Sequence, residues 1–177
     1  MQIEDFFLKS VGEWKSMRSL HSLAFQEFEE IRSKIKIIPV KINDSRVIKL
    51  LKDNLITTNE INKAFLISWE AKSEWVDENQ KENSSGESIL IPIKVSQTEG
   101  KIIRSVGYTD PVQVISLYKF LDDGTLIIYS SYNHISTEER IWFASDNLRS
   151  RSSITRAINS SAILQTSYAS EIRCLKK

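Results

Sequence analysis

The sequence predicts an all-β fold, a single antiparallel barrel of roughly ten strands with two or three short helices, one of them near the N-terminus. Three observations support this prediction. Short runs of apolar and β-branched residues recur along the chain at the spacing of a meandering sheet. Turn residues separate the runs, most clearly at Asp122-Asp123-Gly124, where the Asp-Gly pair permits the positive φ of a tight hairpin. A large antiparallel sheet removes its exposed edges completely only by closing into a barrel.

Two segments are predicted to be helical. In the N-terminal segment, four apolar residues recur on one helical face, namely Ile3, Phe6, Phe7 and Val11. This helix is positioned to close one mouth of the barrel. The second helix is expected at 44–55, where Asn43 or Asp44 caps the first turn. Its apolar stripe would consist of Ile48, Leu51 and Leu55.

Ten segments are predicted to be strands because they are apolar, β-branched or alternating in polarity. In chain order they are 14–25, 28–42, 65–75, 88–96, 102–108, 112–121, 125–132, 138–144, 148–155 and 162–174. The polar stretch 77–88 is predicted to be a loop within the fold and not a linker, because the strands after it need those before it to complete a core. Residues 1–177 are therefore expected to form one domain.

The composition excludes binding that depends on a large net charge. The chain has 24 Lys and Arg against 23 Asp and Glu, a net charge of +1, so we expect neither nucleic-acid nor membrane-surface binding. No run of roughly 18 apolar residues occurs, and the first residues lack the basic and apolar regions of a secretory signal. These features predict a cytoplasmic protein.

Metal and thiol chemistry are also not expected. Cys174 is the only cysteine and cannot form an internal disulfide, and two histidines are too few for a usual zinc site. Nothing near Cys174 forms a nucleophile–base pair, so we interpret it as a bystander thiol. The sequence predicts no metal and no permanent cofactor.

Several strands carry charged or indole side chains at every second residue, which places those side chains on one face. The sets are Trp69 with Trp75, Arg149 with Arg151 and Ser153, Glu139 with Ile141 and Phe143, Glu171 with Arg173, and Arg18 with Trp14. If these faces line the barrel, the cavity holds more arginines than acids, which favours a ligand with its own carboxylates. Indoles suit a flat conjugated ligand. Alternation does not decide which face is inside, and on the outer face the same charges would form a solvated network.

The motifs on these strands resemble a known family. Residues 138–153, EERIWFASDNLRSRSS, closely resemble the EERxWFASxNLRxRxS stretch of the S-type (CpcS/CpeS) phycobiliprotein lyases. The SEIR at 170–173, the DFF at 5–7 and the GxWxSxRxxH pattern at 12–21 are similar to the closing and opening segments of that family. The SWE at 68–70 and the SILIP at 88–92 fall in register, so the resemblance spans the chain. It departs at 156–161, RAINSS, where the family commonly has a basic residue and a glycine pair.

The resemblance implies a barrel of the lipocalin or fatty-acid-binding-protein (calycin) type. It implies a lyase that binds a linear tetrapyrrole, phycoerythrobilin or phycocyanobilin, without a covalent bond. The lyase would attach this bilin through a thioether to a cysteine of a phycobiliprotein apo-subunit, of phycoerythrin or phycocyanin. A bilin reductase would act upstream, and a homodimer stays open.

Carried over by motif position, the site residues fall into two groups. The bilin-binding group comprises Arg18, Trp69, Trp75, Arg149, Arg151, Ser153 and Arg173. Its arginines would hold propionates or order the pocket, and its tryptophans would flank the chromophore. Glu171 would lie near the pyrrole nitrogens as the catalytic carboxylate, with Glu139 as the weaker candidate. Because the acceptor supplies the sulfur, such a lyase needs no nucleophile and acts by positioning and electrostatics.

Two other functions are consistent with the residues. A passive carrier of a tetrapyrrole or fatty acid would use the same arginines without directing attachment. A scaffold that binds proteins through its surface alone would leave inner arginines unexplained.

Overall fold

The computed structural model describes residues 1–57, 61–73, 84–105, 114–160 and 162–175. The helices are α1 (Ile3–Ser10) and α2 (Ser45–Asp53). The strands are β1 (Gly12–Ser22), β2 (Glu27–Val40), β3 (Ala64–Ser73), β4 (Ser84–Lys94), β5 (Glu99–Arg104), β6 (Val114–Phe120), β7 (Leu126–Tyr132), β8 (Ile135–Ser145), β9 (Leu148–Ala157) and β10 (Ile163–Arg173). Each strand pairs antiparallel with its neighbour in the chain, and β1 pairs with β10 to close the barrel.

The predicted all-β barrel with ten strands and two helices is confirmed in the described residues, with shifted strand ends. The largest shift among the described strand ends is at β4, which begins at Ser84 and so includes the last part of the loop expected at 77–88. The additional strand residues are polar, and they pair with β3 at the end of the barrel that is opposite α1. Predicted strand residues 74–75, 106–108 and 112–113 lie outside the described residues. Neither described helix is long and apolar enough to cross a membrane.

Helix α1 closes one end of the barrel, as predicted. Ile3, Phe6 and Phe7 are at most 5% exposed. The ring of Phe6 lies 5.2 Å from that of Phe143, and the ring of Phe7 lies 5.2 Å from that of Phe65, measured between centroids. The aromatic face of α1 therefore inserts between strands from opposite parts of the barrel, and this end contains no open channel in the described structure.

Trp14 and Arg173 fasten α1 to the barrel. The fully buried indole of Trp14 donates from Nε1 to the carbonyl of Ser10 at 2.9 Å, at the end of α1. The guanidinium of Arg173 stacks 4.2 Å from the Trp14 ring and donates to the carbonyls of Lys9 and Val11. Gly12 has a φ of +132°, and a side chain there would meet the Arg173 guanidinium at 2.8 Å. This clamp orients the helix that closes the barrel.

Helix α2 packs on the outside of the barrel over β3, β4 and β5. Asp44 caps it, as expected, by accepting from the backbone N–H of Arg46 at 2.9 Å. The predicted apolar stripe was wrong at Leu55, which is 95% exposed with a φ of +56°. The helix ends at Asp53 before Leu55 can join its face. Of the other two predicted residues, Leu51 is buried and Ile48 is half-buried, and Val47 and Leu50 complete the buried stripe.

Candidate functional site

A single row of cross-strand partners shows which face of the sheet is inside. Directly opposed residues in an antiparallel sheet point to the same face. The row runs Arg18, Ala169, Arg151, Ile141, Leu126 and Phe120. Phe120 packs against Phe6 of the closing helix, with ring centroids 5.8 Å apart. Arg18 and Arg151 therefore lie on the inner wall. The alternation in the sequence alone did not decide whether these side chains face inward or outward.

The inner wall changes from apolar to polar along the barrel axis. At the α1 end it carries phenylalanine, isoleucine and leucine. Towards the opposite end it carries hydroxyls that bond to each other in pairs, namely Ser116 with Ser130, Thr137 with Thr155, and Ser153 with Ser167. Along β1, Trp14 and Ser16 are buried whereas Arg18 is exposed, although all three face inward. A polar inner wall that reaches solvent has the form of a cup, with α1 as its floor.

Four charged side chains form a network on the wall of this cup. The Nε of Arg149 donates to Oε2 of Glu171 at 2.5 Å, and Nη1 of Arg151 donates to Oε1 of Glu171 at 3.4 Å. The Nε of Arg151 also donates to Oε1 of Glu139 at 3.0 Å, and its Nη2 contacts the same oxygen. Glu171 thus bridges two arginines, and Arg151 bridges two glutamates. Two positive and two negative charges balance each other.

The network keeps Glu139 ionised. Burial alone would raise the pKa of Glu139, but the charge and hydrogen bonds of Arg151, with Arg104 and Arg149, outweigh burial and lower it. The carboxylates of Glu139 and Glu171 raise the pKa of Arg151 despite its burial. At neutral pH the site therefore contains a carboxylate and not a carboxylic acid at Glu139, which can stabilise a cation but has no proton to donate.

The two glutamates differ in accessibility. The Glu171 side chain is 1% exposed and lies deep between Arg149 and Arg151, whereas the Glu139 side chain is 20% exposed. A ligand in the cup therefore meets Glu139 before Glu171. The resemblance had ranked these residues in the opposite order, and the structure makes Glu139 the more accessible carboxylate.

Two further arginines on the inner wall are not used by the network. Arg18 and Arg104 form no hydrogen bond or ion pair within the described residues. The pKa of Arg18 is lowered, mainly by burial and further by the charge of Arg151, while the charges of Glu139, Glu29 and Glu171 act in the opposite direction without cancelling the shift. A side chain on the wall of an open cup has many neighbours and still touches solvent, which is why Arg18 is exposed and yet partly desolvated. Arg18 and Arg104 are thus the inner-wall arginines that have neither a hydrogen bond nor an ion pair within the described residues.

Sequence reasoning did not find Arg104. It lies at the end of β5, opposite Leu90, which is itself opposite Phe65 of the core. This row places Arg104 on the inner wall, and its charge lowers the pKa of Glu139. The available signal was that Arg104 ends an apolar strand and alternates in phase with Ile102. It had no charged neighbour at the same spacing, so it did not stand out as a site residue.

The remaining predicted residues occupy different positions. Trp69 is a half-buried inner-wall residue opposite Gly86, and a Cβ at Gly86 would lie only 2.5 Å from the indole. Gly86 therefore gives the indole its place on the wall. Ser153 is on the wall and bonds to Ser167 at 2.7 Å. Arg173 is directed to the α1 clamp and not to the cup. Trp75 lies outside the described residues.

Among the described residues there is no cluster of three or more His, Cys, Asp or Glu that could hold a metal ion. The arrangement instead offers free guanidinium groups, an accessible carboxylate, a half-buried indole and polar walls open to solvent. Such a cup can take an elongated anionic ligand whose carboxylates neutralise Arg18 and Arg104 and whose apolar body rests on the indole.

Comparison with known proteins identifies similar chains. A family model described as CpeS-like protein matches residues 2–174. The chain is 38% identical over 175 residues to Chromophore lyase CpcS/CpeS 3 of Trichodesmium erythraeum, which covers 98% of this chain and 99% of that protein. It is 35% identical over 175 residues to Chromophore lyase CpcS/CpeS of Thermosynechococcus vestitus, which covers 98% of this chain and 93% of that protein.

A solved structure shows the same similarity in three dimensions. The S-type phycobiliprotein lyase CPES from Guillardia theta superposes with a TM-score of 0.86 at 33% sequence identity. The match covers 100% of this chain and 95% of that chain. The similarity in sequence and in fold therefore extends over the barrel, its closing helix and the polar cup.

Proposed function

The chain belongs to the CpeS-like protein family, whose members are chromophore lyases, and from this premise we propose that it holds a phycobilin non-covalently in the polar cup and transfers it to a phycobiliprotein cysteine. The bilin would be phycoerythrobilin or phycocyanobilin. The acceptor would be an apo-subunit of phycoerythrin or phycocyanin. Residues 1–177 would act as one domain, in the cytoplasm, where exposed Cys174 stays reduced.

The observation that supports this proposal is a pair of inner-wall arginines, Arg18 and Arg104, that make no hydrogen bond or ion pair in the part of the chain that the structure describes. A partly desolvated guanidinium group without a hydrogen-bonding partner is unfavourable unless a ligand or solvent compensates it. A linear tetrapyrrole has two propionates and a long conjugated body. Its propionates would bind Arg18 and Arg104, and the half-buried indole of Trp69 would contact its rings. A fatty acid has one carboxylate and would leave one arginine unsatisfied.

In this proposal, Arg149, Arg151 and Glu171 order the wall of the cup. Each of their charges already has a partner, so they would not be free to bind a propionate without leaving another charge unpaired. Arg151 would act mainly as a positioning residue, because its guanidinium fixes the Glu139 carboxylate at 3.0 Å from its Nε.

The proposed reaction adds a thiol across a carbon–carbon double bond. The acceptor cysteine supplies the thiolate, its sulfur forms a bond with the ethylidene carbon of the A-ring, and the adjacent ring carbon takes up the proton. Protonation of the tetrapyrrole makes the ethylidene carbon more electrophilic. Because Glu139 is an ionised carboxylate, it would stabilise the protonated pyrrole nitrogens electrostatically, and no nucleophile of this chain is needed.

Replacing Glu139 by glutamine is expected to preserve bilin binding and to slow transfer by roughly 10²- to 10³-fold, the effect typical of removing one electrostatic stabiliser. Arg151 would still bond to Glu171, so the cup wall stays ordered. Binding is measured by the absorbance of the complex, and transfer is measured by the mass of the recombinant acceptor subunit after denaturation.

Glu138→Gln is the matched control, because the neighbouring Glu138 faces outward and pairs with Arg140 on the surface. We expect that variant to transfer at the parental rate. Parental transfer by Glu139→Gln would refute the role given to Glu139. A parent protein that binds the bilin but transfers it to neither acceptor would be a passive carrier.

A further inference from the structure

The described part of the rim around the mouth of the cup carries exposed apolar side chains. Six large hydrophobic side chains on this rim are between 39% and 76% exposed, namely Leu23, Phe25, Phe28, Ile135, Ile158 and Ile163. They lie on or beside the β1–β2, β7–β8 and β9–β10 turns, all at the end of the barrel opposite α1. We call this set the apolar collar.

The collar is continuous across neighbouring strands. The backbone N–H of Leu23 donates to the carbonyl of Leu164 at 2.9 Å, which joins the first hairpin to the start of β10. The N–H of Ile158 donates to the carbonyl of His134 at 2.8 Å, which joins the last hairpin to the β7–β8 turn. Strands β2, β1, β10, β9 and β8 follow each other in the barrel. At about 4.8 Å per strand the collar is roughly 20 Å wide, approaching the width of the ~800 Å² patch that each partner contributes to a stable interface.

The three hairpin turns that carry the collar lack charged side chains. The three turns of the collar, residues 23–26, 133–134 and 158–162, contain no Asp, Glu, Lys or Arg, although these types make up 27% of the chain. Phe25 lies on one of these uncharged turns, whereas Phe28 lies between Glu27 and Glu29 at the start of β2. Aromatic residues are enriched and charged residues are depleted at the centre of protein–protein interfaces.

Building on the proposed function, we infer that the apolar collar docks the acceptor subunit around its cysteine. The barrel wall is closed and α1 blocks the other end, so a thiol that reaches a pigment in the cup approaches through this mouth. The surface around that thiol must then contact the rim. A second copy of this chain on the same rim would cover the mouth and prevent transfer, which favours the acceptor as the occupant.

The inference is tested with Phe25→Ser/Phe28→Ser, which removes two exposed rings from one hairpin. We expect the KM for a recombinant apo-subunit of phycoerythrin or phycocyanin, and its Kd in the absence of bilin, to rise about tenfold or more. The rate at saturating acceptor and the absorbance titration with bilin should stay at the parental level. Because the contact is apolar, the affinity should change little between low and high salt.

Val95→Ser is the matched control, since Val95 is 71% exposed on a hairpin turn at the closed end. It should leave the acceptor Kd unchanged. An unchanged Kd for the Phe25→Ser/Phe28→Ser variant, or an equal loss in Val95→Ser, would overturn the inference. So would a parental dimer that the double variant converts to monomers without a change in acceptor affinity. Failure of the parent to bind bilin would instead contradict the proposed function, and the acceptor Kd would still decide the docking surface.

Discussion

Glu171→Gln is expected to destabilise the folded protein by about 3–5 kcal/mol, the cost of breaking a buried ion pair by removing one partner. The side chains of Glu171 and Arg149 are 1% and 5% exposed, and they are joined at 2.5 Å. Glutamine still accepts a hydrogen bond but leaves the Arg149 charge without its closest counter-charge in a poorly solvated position. Urea denaturation of parent and variant measures the difference in free energy of unfolding.

Two further variants test whether the lost stability comes from the buried ion pair. Glu138→Gln removes one partner of an outward-facing pair and should change the free energy of unfolding by less than about 1 kcal/mol. Arg149→Met combined with Glu171→Leu removes both charges and should recover most of the lost stability, because an apolar pair of similar volume avoids the desolvation penalty. A loss below about 1 kcal/mol for Glu171→Gln would show that the pair is not the buried structural element described above.

Arg18→Met and Arg104→Met are each expected to weaken bilin binding by roughly 10- to 100-fold, the effect typical of losing a hydrogen bond to a charged group. Methionine preserves much of the apolar stem of arginine, so the variants mainly remove a guanidinium that has no protein partner within the described residues. Their free energies of unfolding should therefore stay close to that of the parent. Absorbance titration with a bilin gives the dissociation constants.

Arg140→Met is the matched control for these two variants, because Arg140 lies on the outer face and pairs with Glu138. It should bind bilin with parental affinity. Parental affinity in both Arg18→Met and Arg104→Met would show that the propionates are bound elsewhere, with the arginine network as the first alternative.

The fold could be predicted from local features of the sequence. Apolar runs, the Asp122-Asp123-Gly124 hairpin turn and the capping residue Asp44 each act over a few residues, and each led to a correct element. The end of α2 was less predictable. Leu55 fits a helical stripe in the sequence, but the chain takes a positive φ at this residue and leaves the helix.

The arrangement of the site depends on the register between strands, which the sequence pattern does not contain. Alternation placed Arg149 with Arg151 on one face, but only pairing shows that Arg149 lies opposite Glu171 and that Arg151 reaches Glu139. This pairing neutralises Arg149 and Arg151, the two arginines in the second half of the 138–153 motif. It leaves the charge on Arg18, which was predicted, and on Arg104, which was not.

The most direct test of the account compares a bilin with its dimethyl ester as ligands of the parent protein. The ester keeps the conjugated body but lacks both negative charges, so it cannot neutralise Arg18 and Arg104. We predict that the free acid binds about 100-fold more tightly or better, and that this preference disappears in the Arg18→Met/Arg104→Met double variant. Equal affinity of the parent for acid and ester would contradict the proposal that unpaired arginines in the cup recognise the ligand.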